Sequence, residues 1–538
     1  MKKLLFLCLL LIISCSKKEQ ADLIVTNANI YTVDSLFSKA EAFAVKGGKF
    51  LAVGTSEEIL SKYQSVEMLD AGGKTILPGL IDAHCHFYGL GLNQQRVDLV
   101  GTKSFEEVVR RTVAFQQENN MPFILGRGWD QNDWDIKEFP NKKKLDSLFP
   151  ETPVALERVD GHAYLVNQKA LDLAGITAKT IVPGGEVEVI NGKTTGILVD
   201  APMGLVDAIM PPPDRKTQIE ALADAEKICF SYGLTTLSDA GLDRKVIELI
   251  DSLQQTGLLN MRVYAMVSNT QENLDYFLPK GIIKTDKLNV RSVKVYGDGA
   301  LGSRGAALRE PYTDKPGHYG AMITPADELL PLAERIAASG YQMNTHAIGD
   351  SANTSVLKTY EKVLKGKTDQ RWRVEHAQIV SMDDFDYFSR NIIPSVQPTH
   401  ATSDMYWAKD RVGAERIQGG YANKTLLEKA GLVALGTDFP VEQVSPFLTF
   451  YAAVARQDQQ GFPEGGYQMK DALSREETLK GMTIWAAVAN FEENEKGSIA
   501  PGKLADFVII DSDIMSVPIN EVPKTNVEKT FLGGKQVY

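Results

Sequence analysis

Cysteine is scarce in this sequence. Only 4 of the 538 residues are cysteines, and two of these, Cys8 and Cys15, lie close to the amino terminus. The other two, Cys85 and Cys229, cannot form the several disulfide bonds that stabilise small secreted domains. The fold must therefore depend on side-chain packing and on any metal ion that the chain binds.

Runs of basic residues are also absent. The chain has 58 Lys and Arg residues against 69 Asp and Glu residues, which gives a net charge of −11 at pH 7. Nucleic-acid binding and adsorption to an anionic membrane surface both require concentrated positive charge. We therefore expect no nucleic-acid partner, and we interpret the acidic balance as a contribution to solubility.

The amino terminus has the features of a secretory signal. Lys2 and Lys3 precede an apolar run over residues 4–13, which is too short to span a bilayer with margin. The Ser14-Cys15 step that follows resembles a bacterial lipobox, and a polar segment comes next. We predict a lipoprotein signal peptide at residues 1–14 and a linker at residues 15–21.

This prediction places the protein in the cell envelope of a bacterium. Lipid on Cys15 would anchor it to a membrane facing the periplasm or the cell exterior, and would be its one link to a membrane. The alternatives are an ordinary signal peptide with an incidental cysteine, or an uncleaved anchor.

Both ends of the remaining chain are rich in short β-like runs. Runs such as 23–25, 42–45 and 50–53 are separated by Gly-Gly pairs, and runs at 506–510 and 529–532 show the same texture. We predict one small β-sandwich domain formed by residues 22–76 and 495–538.

The centre, residues 77–494, alternates strand-like and helical stretches. This pattern is typical of βα units, and a count of eight candidate strands predicts a closed barrel. The interval 87–234 is too long for one βα connection and has strand-like runs of its own, so we interpret it as an insertion after the first barrel strand. The predicted fold class is α/β, a distorted (β/α)8 TIM barrel with a β-sandwich. The candidate strands are 80–83, 235–238, 262–267, 290–296, 342–345, 372–375, 393–397 and 433–436.

The strongest local signal is the His84-Cys85-His86 triplet at the end of the first candidate strand. Side chains alternate faces along a strand, so both imidazoles point the same way and Cys85 points oppositely. Two imidazoles on one face can share a metal ion. Cys85 is assigned to packing.

Four further residues with metal-binding or carboxylate chemistry lie at equivalent strand ends. They are Lys294, His346, His376 and Asp438. The chain has only 7 histidines, and four of them fall at predicted strand ends, which is far from the pattern expected of unrelated core histidines. The sequence therefore predicts a metal site at the carboxyl-terminal face of the barrel.

These features resemble the amidohydrolase superfamily, specifically its YtcJ-like branch, which includes N-substituted formamide deformylase. The resemblance covers nearly everything after the signal. The segments that resemble the branch are 77–86, 126–130, 158–162, 298–304, 373–376, 436–440 and 497–506.

The resemblance implies two divalent ions bridged by an N-carboxylated lysine. The implied ligands are His84, His86 and Asp438 for one ion, His346 and His376 for the other, and Lys294 as the bridge. Nitrogen and oxygen ligands with open positions fit Zn²⁺, and also Mn²⁺ or Fe²⁺. A water molecule between two cations ionises near neutral pH and attacks a carbonyl, while Asp438 transfers its proton to the departing nitrogen.

Other polar residues are candidates for substrate contact. We expect His162 and Arg304 to contact substrate, with Trp129 next. The alternative for Arg304 is an internal salt bridge. His400, after the seventh candidate strand, would polarise the carbonyl as a catalytic residue, or would cap a loop.

The predicted function is metal-dependent hydrolysis of an amide- or formamide-type C–N bond in a small molecule. Three alternatives remain: a mononuclear deaminase of the same superfamily, another hydrolase such as an esterase, and a non-enzymatic barrel scaffold. Lys294 argues against the deaminase, and the complete ligand set argues against the scaffold. An N-formyl substrate rests on analogy alone, and a homodimer is an open alternative to a monomer.

Overall fold

The computed structural model describes residues 18–538. The predicted signal peptide and Cys15 lie outside these residues. Within the described part of the chain, no helix is both long enough and apolar enough to cross a membrane.

Eight parallel strands form the barrel, in the order in which they occur along the chain. Each overlaps one of the eight predicted strands, so the predicted barrel is confirmed. A short ninth strand, Ile283–Lys284, pairs with the fourth barrel strand in the antiparallel direction. The barrel strands are Leu80–Cys85, Leu234–Leu242, Arg262–Ser268, Leu288–Tyr296, Gln342–Ala347, Trp372–His376, Ile392–Val396 and Ala434–Leu435.

Helices surround the barrel because their apolar residues recur on one side. In the helix Arg244–Gln255, for example, Ile247, Ile250 and Leu253 recur every three residues and are buried. The helices around the barrel are Phe87–Asn93, Arg215–Ser231, Arg244–Gln255, Gln271–Lys280, Ala326–Ser339, Asp350–Leu364, Pro398–Asp404, Ala408–Arg416, Asn423–Ala430, Pro446–Ala455, Arg475–Gly481 and Ile484–Ala489.

The insertion has a six-stranded sheet and apolar cores of its own. Its extent is smaller than the predicted 87–234, because the helices Phe87–Asn93 and Arg215–Ser231 contribute their apolar faces to the barrel core. The sheet strands, in spatial order, are Val97–Asp98, Ile124–Trp129, Val154–Arg158, Ala163–Val166, Lys193–Asp200 and Gly185–Ile190. The helices of the insertion are Phe105–Asn119, Lys143–Leu148, Gln168–Leu173 and Met203–Asp207.

Two sheets built from both chain ends form the sandwich, as the fold class predicted. Phe43 and Phe50 of one sheet pack against Phe507 of the other. One sheet contains Lys49–Gly54, Ala42–Lys46, Leu23–Thr26 and Glu67–Asp70, and the other contains Lys535–Gln536, Val527–Leu532, Phe507–Ile510, Thr75–Pro78, Asn29–Tyr31 and Lys39–Ala40.

The barrel closes through the segment that follows the eighth strand. Among residues 18–538, the first and eighth barrel strands end the path of paired strands. Two backbone hydrogen bonds join them just beyond the ladder. The N–H of Asp438 donates to the carbonyl of His84 at 2.8 Å, and the N–H of His86 donates to the carbonyl of Phe439 at 2.8 Å. We call this contact the barrel seam.

Two further features bring the strands together at the barrel seam. The hydroxyl of Thr437 donates to Oδ2 of the buried Asp82 at 2.7 Å, which connects the two strands through side chains. At Gly436 the strands are so close that a Cβ atom would lie 2.5 Å from the backbone nitrogen of His84. Only glycine fits there.

We predict that Gly436→Ala destabilises the protein, because the added Cβ must push the first and eighth strands apart. Overpacking of this kind costs about 1–3 kcal/mol. Chemical denaturation should show a lower unfolding midpoint than wild type. Gly204→Ala is the matched control, since a Cβ at Gly204 meets no atom within 4 Å. An unchanged midpoint for Gly436→Ala would show that the seam tolerates separation.

Candidate metal centre

The six predicted metal ligands converge at the carboxyl-terminal end of the barrel. His86 Nε2 lies 3.2 Å from Asp438 Oδ1, and His84 Nε2 lies 3.6 Å from the same oxygen. Lys294 Nζ lies 3.4 Å from His84 Nε2. On the far side, the ring centroids of His346 and His376 are 4.5 Å apart. At these distances the six side chains could bind shared metal ions.

The most compact set of ligand atoms belongs to His84, His376 and Asp438. One atom from each residue lies within 4.8 Å of the others. This set takes His376 from the pair assigned to the second ion. The distances therefore do not divide the ligands into the two groups that the resemblance implies.

Two of these residues have unusual backbone conformations. His376 has φ of 69° and Asp438 has φ of 64°, both in the left-handed region that non-glycine residues rarely adopt. Such conformations cost about 1–3 kcal/mol each and cluster at functional sites. The strand Trp372–His376 ends at His376, and Asp438 follows shortly after the strand Ala434–Leu435, so both unusual conformations occur where the chain leaves a barrel strand.

Buried acceptors fix the orientation of two imidazoles. His84 Nδ1 lies 2.5 Å from Glu375 Oε2, and His376 Nδ1 lies 2.7 Å from Gln397 Oε1. Each contact occupies Nδ1 and leaves Nε2 as the ring nitrogen that faces the site, the arrangement typical of metal-ligating histidines. Arg373, whose Nε lies 2.7 Å from Glu375 Oε1, balances the buried carboxylate.

Burial shifts the pKa values of several candidate ligands, and for His84, His346 and His376 it favours the neutral form that binds metal. It lowers the pKa of His84 to about 4 and holds the pKa values of His346 and His376 well below the usual range. Burial also lowers the pKa of Lys294 to about 8. Burial alone would raise the pKa of Asp438, but hydrogen bonds with His400 and His86 outweigh it, so the pKa lies well below its usual range.

His400 lies in the first turn of the helix Pro398–Asp404 and connects two carboxylates. Its Nε2 is 3.2 Å from Asp438 Oδ2, and its Nδ1 is 3.1 Å from Glu442 Oε1. Burial lowers the pKa of His400, but the two carboxylates outweigh burial and hold that pKa well above the usual range. A protonated imidazole here would donate hydrogen bonds to both partners.

A cavity of about 1280 Å³ opens above these residues. The barrel forms its floor, and the insertion forms much of its wall through residues such as Arg127 and His162. The His162 ring lies 5.0 Å from the ring of His346, centroid to centroid. The predicted substrate-contact residue His162 is therefore at the site.

The structure places Trp129 and Arg304 away from the cavity, in contrast to the prediction. Trp129 is fully buried in the apolar core of the insertion, and its Nε1 donates to the carbonyl of Leu156 at 2.8 Å. Arg304 forms a salt bridge with Asp314 at 2.9 Å, the alternative already considered for it. Neither side chain lines the cavity.

Sequence reasoning missed several residues at the site. Glu375, Gln397 and Glu442 each contact a histidine of the site, and Asp200 contacts His162. A local signal existed for two of them, because Glu375 directly precedes His376 and Gln397 directly follows the seventh strand. Glu442 and Asp200 carry no such signal, since neither directly adjoins a candidate ligand or the end of a predicted barrel strand.

Comparison with known proteins assigns the family. Residues 67–538 match the amidohydrolase family. This chain belongs to that family. The predicted superfamily is therefore confirmed, and the chain is an amidohydrolase, a metal-dependent hydrolase of that superfamily.

Relatives match over almost their full length. The chain is 33% identical to Protein LONG AFTER FAR-RED 3 of Arabidopsis thaliana, over 96% of this chain and 92% of the relative. It is 31% identical to YtcJ of Bacillus subtilis (strain 168), named as an amidohydrolase, over 95% and 98%. It is 27% identical to N-substituted formamide deformylase of Arthrobacter pascens, over 96% and 98%.

A solved structure agrees with the fold. An uncharacterized metal-dependent hydrolase from Pyrococcus horikoshii OT3 aligns with a TM-score of 0.74 and 28% identity. The alignment covers 92% of this chain and 99% of that one. The fold of this chain is thus shared with a solved structure that is named as a metal-dependent hydrolase.

We predict that Glu375→Gln weakens metal retention. The amide can still accept from His84 but cannot balance Arg373 or hold the imidazole as firmly, and loss of such a supporting contact typically costs about 10–100-fold in metal affinity. Competition with a chelator would measure the change. Glu334→Gln, an exposed residue on the helix Ala326–Ser339, is the control. Equal retention in both variants would contradict the supporting role of Glu375.

Proposed function

We propose that this amidohydrolase cleaves a carbon–nitrogen bond other than a peptide bond, in a small amide- or formamide-type compound. The observation that supports this most strongly is Lys294, a buried lysine beside His84 at the active end of the barrel. The name of one full-length relative, N-substituted formamide deformylase, favours N-formyl compounds as the leading substrate class.

The residues at the site fit two divalent ions, with Zn²⁺ the preferred identity. Neutral imidazoles and an ionised carboxylate are ligands that Zn²⁺ favours. When bound, the ions would lower the pKa of a water molecule and polarise the substrate carbonyl. The residues that would hold them are His84, His86, Lys294, His346, His376 and Asp438.

Lys294 would act as the bridge in its carboxylated form. Its neutral amine attacks CO₂, a C–N bond forms, one proton leaves, and the product is a carbamate anion with two oxygen ligands. The lowered pKa of Lys294, about 8, increases the neutral fraction that can react. An unmodified ammonium group in the same place would be a buried cation beside metal ions, which is electrostatically unfavourable.

Asp438 would transfer the proton in this reaction, and His400 would contact Asp438. Asp438 accepts a proton from the attacking water while the water oxygen bonds to the carbonyl carbon. The C–N bond then breaks and the departing nitrogen receives that proton, so that amide and water become carboxylic acid and amine. His400, held by Glu442 at 3.1 Å, would orient Asp438; because both of its ring nitrogens lie beside carboxylates, neither is left to polarise the carbonyl.

A mononuclear deaminase is the second candidate, and one observation favours it. The compact group of His84, His376 and Asp438 would suffice for one ion. Short segments of the chain also match deaminases, for example 36% identity over 69 residues to 5-methylthioadenosine/S-adenosylhomocysteine deaminase of Syntrophobacter fumaroxidans. In that mechanism Lys294 would remain an ordinary amine.

The two candidates predict different results for Lys294→Ala. If Lys294 bridges two ions, metal content should fall from about two ions per chain to one or fewer, because the shared anionic ligand is lost. Turnover should fall by more than about 100-fold, at or beyond the upper end of the range for lost metal support. Acetate should restore part of both by replacing the carbamate. Elemental analysis and turnover on the metal-replete enzyme would measure these changes.

A substrate panel with the wild-type enzyme completes the test. N-formyl, N-acyl and carbamate compounds should release an amine, and a cyclic imide should open to a carboxylate and an amide, whereas a deaminase would release ammonia from a ring. Lys358→Ala, an exposed lysine on the helix Asp350–Leu364, is the control for metal content. One ion per chain and an unmodified lysine in the metal-replete wild type would overturn the two-ion mechanism.

A further inference from the structure

Asp200 and His162, both residues of the insertion, are joined by two hydrogen bonds. Asp200 ends the strand Lys193–Asp200, and its side chain is 1% exposed. His162 Nδ1 lies 2.6 Å from Asp200 Oδ1, and the backbone N–H of Asp200 donates to the carbonyl of His162 at 3.1 Å. The Asp200 φ of 56° is in the left-handed region, which an aspartate adopts at some cost. The position of this carboxylate is therefore closely defined.

Two glycines of a barrel loop, Gly299 and Gly305, leave space for this carboxylate, and we call them the glycine cradle. After the fourth barrel strand, the chain places Gly299 and Gly305 against the carboxylate of Asp200. A Cβ atom at either glycine would collide with the Asp200 carboxylate. Between them, a Cβ at Gly302 would lie 3.0 Å from the guanidinium of Arg158, another residue of the insertion. The loop after the fourth strand thus has no side chains at these glycine positions, and side chains of the insertion occupy the space.

His162 is directed into the cavity by this arrangement. Its Nδ1 is occupied by Asp200, so Nε2, on the opposite edge of the ring, is the atom available to a ligand. Among residues 18–538, none forms a hydrogen bond with this Nε2. The ring lies 5.0 Å from His346 and 6.5 Å from Tyr296, centroid to centroid, at the wall of the cavity.

We propose that His162 contacts the substrate through Nε2 and that Asp200 is the positioning residue that sets its orientation and tautomer. The glycine cradle of Gly299 and Gly305 exists to admit the Asp200 carboxylate. The insertion then supplies one active-site group, and its fit to the barrel decides where that group lies. This inference rests on the proposed hydrolysis for its kinetic consequences but not for the contact itself. A residue that orients an active-site imidazole affects turnover without touching the substrate.

A double-mutant cycle separates positioning from general stabilisation. His162→Ala should lower kcat/KM on an N-formyl substrate by about 100-fold or more, the scale of a lost polar contact in an active site. Asp200→Asn should lower it by about 10–100-fold. In the His162→Ala background, Asp200→Asn should add less than about threefold, because the group that it positions is gone. Metal content should match wild type throughout, and Asp172→Asn, at an exposed position of the helix Gln168–Leu173, is the control.

A second measurement does not depend on activity. Nitrogen NMR of histidine-labelled, metal-replete protein reports which ring nitrogen carries the proton, and His162→Ala assigns the signal. Wild type should show the proton on Nδ1, and acetamide should shift Nε2. Asp200→Asn should lose both features, and Gly305→Ala should reproduce that loss by displacing the carboxylate.

The outcomes distinguish this inference from the proposed function. A wild type that hydrolyses no compound of the panel refutes the proposed function, while the NMR result still decides the role of Asp200. A full effect of Asp200→Asn in the His162→Ala background would mean that Asp200 acts only on folding. A neutral wild-type His162 ring with its single proton on Nε2, or no response of that atom to acetamide, would equally overturn the inference.

Discussion

The barrel seam is the constraint on which the rest of the structure depends. The eighth strand contributes only Ala434–Leu435 to the sheet, and the junction with the first strand is made by the residues that follow it. The same backbone bond that closes the barrel, from the Asp438 N–H to the carbonyl of His84, brings two of the candidate ligands together. The contact that closes the barrel therefore also brings candidate ligands of the site together.

Electrostatics imposes the second constraint. The barrel end buries several ionisable groups, and some of them have charged partners. Glu375 is balanced by Arg373, and His400 is held between two carboxylates. Because the imidazole of His84 is already neutral at physiological pH, metal binding need not displace a proton from it. Burial of His84 within the protein thus leaves its imidazole in the form that binds a cation.

Much of this architecture could be predicted from the sequence, because the relevant signals are local. The eight strands are short apolar runs, and the six candidate ligands lie at their ends, so the parallel order of the barrel is enough to bring them together. The partition of ligands between ions was not reproduced by the distances. That partition came from the family resemblance, whereas the distances group His376 with His84 and Asp438.

The failures concern contacts between distant segments. Trp129 has an aromatic ring suited to a binding site, yet the core of the insertion buries it, and that core depends on strands whose pairing no single segment reveals. Arg304 forms a salt bridge with Asp314 and does not reach the cavity. The insertion was predicted too long because the amphipathic helix Arg215–Ser231 packs on the barrel, and a helix does not indicate from its sequence which core it will join.

The glycine cradle has a consequence for the descent of this protein. Gly299 and Gly305 lie in the loop after the fourth barrel strand, and Asp200 lies in the insertion, yet a side chain at either glycine would displace the Asp200 carboxylate. The insertion cannot be exchanged for another, as a surface loop often can, unless the loop after the fourth strand changes with it. Homologues that acquire a different insertion should therefore also replace these glycines, and the two segments should be inherited as a unit.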